Sequence, residues 1–141
     1  MIAVVSRVAG ARVVVDGETV GEIHGEGLLV LLGVAHGDDA ESVATMGRKV
    51  TGLRLLRNDA SVLEKAAPVL VVSQFTLLGN TRKGRRPSWS AAAPPEEARQ
   101  RYEEVVADIR GRGVSVATGR FGADMAVESL NDGPYTVLVH A

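Results

Sequence analysis

Two short strings carry the polar side chains best placed for chemistry. Ser73-Gln74-Phe75-Thr76-Leu77 ends an apolar run that starts at Val69, and Asn131-Asp132-Gly133-Pro134-Tyr135-Thr136 lies close to the last residue. If Val69 to Leu77 is a strand, its side chains alternate: Leu70, Val72, Gln74 and Thr76 on one face, Val71, Ser73, Phe75 and Leu77 on the other. The first face turns polar at Gln74. Such a strand either floors a pocket with an amide and a hydroxyl or simply emerges into water there. The second string is rich in residues that tolerate positive φ, as in a hairpin turn between two strands, with Pro134 opening the last strand.

The usual hydrolytic machinery is missing. No Gly-x-Ser-x-Gly elbow occurs, and there are no cysteines, which excludes thiolate nucleophiles, thiolate metal sites and disulfides. His24, His36 and His140 are not spaced as a ligand set, and Asp38 and Asp39 beside His36 read as helix-capping residues. Neither a metal nor a cofactor is expected. Thr76 has no adjacent general base and is a weak nucleophile at neutral pH. A dense basic cluster, Arg82, Lys83, Arg85 and Arg86, follows the first string and is bracketed by Gly84 and Pro87. It is either a solvated loop or a patch that grips phosphates.

The elements that must position these residues can be read from periodicity. Valine-rich runs at Ile2 to Val8 and Ala11 to Ile23 predict strands, with Asp16-Gly17 as a two-residue hairpin turn. Gly27 to Val34 is continuously apolar and predicts a strand buried on both faces. Beyond Asp38 and Asp39, the spacing of Val43, Met46, Val50 and Leu53 predicts an amphipathic helix. Pro94-Pro95-Glu96-Glu97 opens a second helix with Ala98, Tyr102, Val105, Val106 and Ile109 facing inward, ended by Gly111 and Gly113. Val114 to Thr118, Met125 to Leu130 and Tyr135 to His140 predict three closing strands. The expected class is α+β: one domain over residues 1–141, of largely antiparallel sheet, barrel-like, with two helices packed on one side.

Charge narrows the partners. Sixteen basic and 17 acidic side chains give a formal charge of -1, which excludes coating nucleic acid through bulk charge, so any RNA contact must be local. The longest apolar run, Gly27 to Ala35, is too short to span a bilayer, and the first residues lack the order of a signal peptide. A cytoplasmic protein without membrane contact is expected.

Together, SQFTL and the Asn-x-Gly-Pro-x-Thr pattern resemble the two signature motifs of the D-aminoacyl-tRNA deacylases, enzymes that strip D-amino acids and glycine from tRNA. MIAVVSRVAGARVVVDGETVGEI, GLLVLLGV, KGRRPSWSAAAPP and TGRFGADMAV extend the resemblance over nearly the whole chain. Two departures stand out. Between Arg57 and Val69 lies only NDASVLEKAAP, where family members usually carry a longer glycine-containing turn and a second short strand. Trp89 stands where phenylalanine is more usual.

The resemblance implies a homodimeric, metal-free ester hydrolase acting on the acceptor end of tRNA, with no DNA partner. Ser73, Gln74, Phe75 and Thr76 would be the catalytic string. Gly133-Pro134 would be a cis peptide inserted into the partner's site as the chiral selector. Asn131, Thr136, Phe121 and Met125 would line the substrate pocket, and Arg82, Lys83, Arg85 and Arg86 would hold tRNA. The attack on the ester could be driven by Thr76 or by the free hydroxyl of the terminal ribose. The second route is preferred, with backbone N–H groups near Phe75 and Thr76 stabilising the oxyanion. Other functions compatible with these residues are a noncatalytic RNA-end or nucleotide-binding module and a ligand-free structural dimer.

Overall fold

Asp16 and Gly17 both adopt left-handed backbone, φ 49° and 79°, and turn strand β1 (Ile2–Val15) back on itself as β2 (Glu18–Gly33). The runs predicted as separate strands up to Val8 and from Ala11 are one strand, because β1 continues through an irregularity where its register with β2 slips between Val8 and Gly10. Gly27 to Gly33 is likewise the second half of β2. It is buried on both faces as expected: Leu28, Val30 and Leu32 join the core under the helices and Leu29 joins the core on the opposite face.

The computed structural model describes residues 1–141. Helix α1 (Ala40–Gly52) is capped by Asp39, whose carboxylate accepts from the Ser42 N–H at 3.0 Å. Val43, Met46 and Val50 are buried along it, whereas Leu53 lies past the last turn and is exposed, outside the predicted stripe. A one-turn helix, α2 (Val62–Lys65), follows and was not expected from periodicity. Its capping box, Ser61 with Glu64, was nevertheless present in the sequence. Then come β3 (Val69–Ser73), α3 (Pro95–Gly111), β4 (Val116–Thr118, shorter than predicted) and β5 (Ala126–His140). All five residues predicted to face inward on α3 are buried.

The sheet order is β4-β3-β2-β1-β5. β1 pairs antiparallel with β2 and β5, while β3 runs parallel to β2 and β4 because helical crossovers connect them. The class is α+β as expected, but the sheet is mixed and open, with β4 and β5 as edges, so the barrel-like closure does not form. One core packs Val5, Val30 and Val71 against Met46, Val105 and Ile109 of the helices. On the other face, the far half of the β1–β2 hairpin brings Val13 and Ile23 against Leu70 and Val72. Each such side chain, fully buried, contributes about 1.5–3 kcal/mol.

Candidate active site

β3 stops at Ser73, the last residue paired with β2. The Gln74 N–H still donates to the Leu32 carbonyl at 2.7 Å, and the chain then tightens into a 3-10 turn over Phe75–Leu78. The strand predicted to run to Leu77 is therefore cut short, and its face alternation fails beyond Ser73. Gly33 explains the break. A Cβ there would lie 2.5 Å from Leu78 Cδ2 and 3.0 Å from the Gln74 carbonyl oxygen, so the turn packs where only glycine leaves room.

As a result Ser73, Gln74 and Phe75, which an extended strand would split between two faces, line one cavity of about 490 Å³. It lies at the carboxyl ends of the parallel strands β2 and β3. Leu32, Val34, Ala98, Tyr102 and Phe121 supply apolar walls, with Trp89, Pro94 and Pro95 beside them. Phe75 and Trp89 meet edge to face at 5.4 Å. Tyr102 fastens α3 to β3: its hydroxyl donates to the buried Val71 carbonyl at 2.9 Å, and burial pushes the phenol up to about 12. Such an apolar pocket with a few polar groups on its floor is the usual form of a small-ligand site.

Of the expected pocket residues, Phe121 lines the cavity and Met125 does not. Gly122, at φ 77°, turns the chain between them, and Met125 packs against the opposite core. Thr76 also lies off the cavity lining. Its hydroxyl accepts a hydrogen bond from the Gln74 side-chain amide, and no basic group is among its partners.

Asn131 to Thr136 are not a hairpin between two strands. They bulge from the single strand β5, since Ser6 pairs with Thr136 but Val8 pairs with Asn131. The Gly133-Pro134 peptide is cis. Within one chain none of these residues lines the cavity. The bulge is held by Arg7, which the sequence reading passed over. Its buried guanidinium donates to the Asp132 carbonyl at 2.8 Å and to the Gly133 carbonyl at 3.0 Å, and lies 4.5 Å from the centre of the Tyr135 ring. Asn131 Nδ2 returns a bond to the Arg7 carbonyl at 2.8 Å, and Thr136 meets the Ser6 hydroxyl at 3.0 Å. A carbonyl has two acceptor lone pairs, so Arg7 does not exhaust Gly133.

Arg82, Lys83, Arg85 and Arg86 are all exposed, and none pairs with an acid. Their loop is closed at its base by paired backbone bonds between Asn80 and Ser88, at 2.8 and 3.1 Å. Trp89, on the cavity wall, follows directly.

Residues 4–140 match the model of the D-Tyr-tRNA(Tyr) deacylase family. The chain belongs to that family. It is 58% identical over 139 residues to a D-aminoacyl-tRNA deacylase of Streptomyces coelicolor, covering 99% of each chain. It is 57% identical over 141 residues to one of Beutenbergia cavernae, covering all of both. Among solved structures it superposes with a TM-score of 0.92, at 36% identity over 100% of this chain and 99% of the other, on a c-Myc DNA unwinding element binding protein. A probable eukaryotic D-amino acid tRNA deacylase gives a TM-score of 0.86 at 16% identity, over 99% and 98% of the two chains, a likeness of fold. The relatives' names place this deacylase-family chain among the hydrolases. In it the first amides of the 3-10 turn, Phe75 and Thr76, have no carbonyl of that turn to donate to, the arrangement that suits an oxyanion.

Proposed function

We propose that the chain, as one domain over residues 1–141, hydrolyses the ester of D-aminoacyl-tRNA and of glycyl-tRNA and spares L-aminoacyl-tRNA. The observation that carries this reading is the family match over residues 4–140, supported by Ser73, Gln74 and Phe75 meeting in one cavity. The apolar walls suit the terminal nucleoside of tRNA, with Phe75, Trp89 and Phe121 offering faces for stacking. The free hydroxyl of the terminal ribose, rather than Thr76, orients or activates water, and the Phe75 and Thr76 amides receive the oxyanion. The basic loop takes phosphates of the acceptor end, in the cytoplasm where tRNA is charged.

Gly133 and Pro134 form the chiral filter, in the site of a second copy. Rigid backbone facing the α-carbon lets a D side chain turn away and clashes with an L side chain, whereas glycine has nothing to clash. Two observations favour a filter supplied by a partner: Asn131 to Thr136 stay off their own chain's cavity, and β5 exposes Leu130, Tyr135 and Leu138. Asn131 and Thr136 then complete the partner's pocket.

Purified protein should release D-amino acid and glycine from tRNA and leave the L-ester intact; equal loss of both enantiomers at low enzyme concentration would sink the filter. Thr76→Ala should retain much of the activity, and tRNA ending in 2′-deoxyadenosine should be hydrolysed far more slowly. Abolished turnover in the variant together with normal turnover of the deoxy substrate would move catalysis to Thr76. A second reading, a noncatalytic RNA-end or nucleotide-binding module, is favoured by the likeness to a c-Myc DNA unwinding element binding protein and by the missing base beside Thr76. Binding of tRNA with no ester loss would select it.

A further inference from the structure

We propose that Arg57 is a positioning residue: presented by the short connection between α1 and β3, it fixes the Gly133-Pro134 step from outside its strand and so sets the discrimination between D and L substrates. The inference rests on the deacylase reading above.

The base of Arg57 is rigid. Leu56 is buried and exchanges backbone contact with Ala60, its N–H donating to the Ala60 carbonyl at 2.9 Å, while Asn58 and Asp59 take left-handed φ of 62° and 53° to close the turn. The Arg57 N–H donates to the Glu26 carboxylate at 2.9 Å, and Lys65 holds that same carboxylate at 2.9 and 3.1 Å. From this base the guanidinium reaches Asp132 as a fork, Nε at 2.9 Å and Nη2 at 2.5 Å.

Asp132 is the residue directly before the selector. Its Oδ2 also lies 3.3 Å from Arg7 Nε, so one carboxylate is gripped by a buried guanidinium and an exposed one. Arg7 holds the backbone carbonyls of Asp132 and Gly133 and touches the carboxylate; Arg57 bonds the carboxylate alone, with two donors. Arg7 reaches the bulge from β1 and Arg57 from the connection after α1, so Asp132 is tied to two separate elements of the fold. Lysine cannot reproduce a two-pronged hold.

The test compares Arg57→Ala, Arg57→Lys, Asp132→Asn and the double variant Arg57→Ala/Asp132→Asn. In Arg57→Ala the ratio of L- to D-ester hydrolysis should rise about two- to fivefold, the range set by an exposed ion pair. Arg57→Lys should fall between it and the parent, and the double variant should match Asp132→Asn rather than exceed it, since Arg57 acts only through that carboxylate. An unchanged ratio, or additive effects, overturns the proposal. Amide exchange over residues 131–136 decides it without activity: it should quicken in Arg57→Ala while the rest of β5 is unchanged, and unchanged exchange overturns it. A parent protein that hydrolyses neither ester would fail the deacylase reading by that result alone, and the exchange result would still judge the clamp.

Discussion

Ser73 to Phe75 lie at the end of β3, a strand with parallel neighbours on both sides whose residues Val69 to Val72 are almost inaccessible to solvent. Asn131 to Thr136 bulge from β5, an edge strand paired on one side only. Core packing places the first string: the ladder ends at Ser73, Gly33 makes room, and the turn follows. The second string is placed by charge-assisted bonds from Arg7 and Arg57. A floor built this way resists deformation, whereas a loop held by a few polar contacts can be re-aimed by changing one side chain. The two halves should therefore answer differently to substitution.

Arg7→Met should have the largest effect, because it removes the donors to both bulge carbonyls while keeping apolar bulk under them. Losing two part-buried hydrogen bonds from a charged donor should cost about 2–4 kcal/mol in a denaturant titration. It should also loosen rejection of L-esters. An unchanged midpoint with unchanged enantioselectivity would mean that the bulge is set by the strand itself.

Gly33→Ala attacks the floor. The new methyl would lie 2.5 Å from Leu78 Cδ2 and 3.0 Å from the Gln74 carbonyl oxygen, so the Leu78 side chain must turn away and the start of the 3-10 turn must give by a few tenths of an ångström. Overpacking of this kind should cost about 1–3 kcal/mol. D-ester turnover should fall without a matching rise in L-ester hydrolysis, since the proposed filter at Gly133 and Pro134 is untouched. Loss of selectivity instead would show that floor and filter are one mechanical unit.

Tyr102→Phe loosens the same floor more gently. Val71 O keeps a second donor, the Gly119 N–H at 3.3 Å, so the loss at neutral pH should be about 1 kcal/mol. The pH dependence has a definite sign. Burial raises the folded phenol from an unfolded value of about 10 to about 12, so the Tyr102 contribution is intact below the first value and lost as pH rises to the second. The stability gap between parent and variant should shrink across that window; a constant gap would mean that the hydroxyl is not sequestered.

The same contrast explains what the sequence disclosed. Helical spacing revealed α1 and α3, and Asp16-Gly17 revealed the hairpin, because those signals are local. The end of β3 was hidden because it depends on Gly33 in the neighbouring strand. Asn131 to Thr136 carried turn residues and read as a hairpin, yet their partners Ser6 and Val8 make them a bulge. Phe121 and Met125 looked equivalent until Gly122 turned the chain between them. Arg7 resembled any charged residue in an alternating strand, and only the fold of β5 over it reveals its partners. The short segment after Arg57 was legible as a deletion, but only the fold brings Arg57 against Asp132.

The smallest effect at low salt is expected from the basic loop, which belongs to neither half. Arg82, Lys83, Arg85 and Arg86 make no ion pair in the fold, so replacing them should leave stability unchanged. If Arg85 and Arg86 each grip a phosphate of the acceptor end, binding releases counterions in proportion. Log kcat/KM against log salt should then be less steep by about 1.4–1.8 in Arg85→Gln/Arg86→Gln, taking about 0.7–0.9 per contact. Enantioselectivity should be the same as in the parent, since phosphate contacts hold both substrates alike. A parallel salt dependence in parent and variant would return the loop to solvent. A change in the L-to-D ratio would show that the loop, through Trp89 and Phe75, reaches the floor after all.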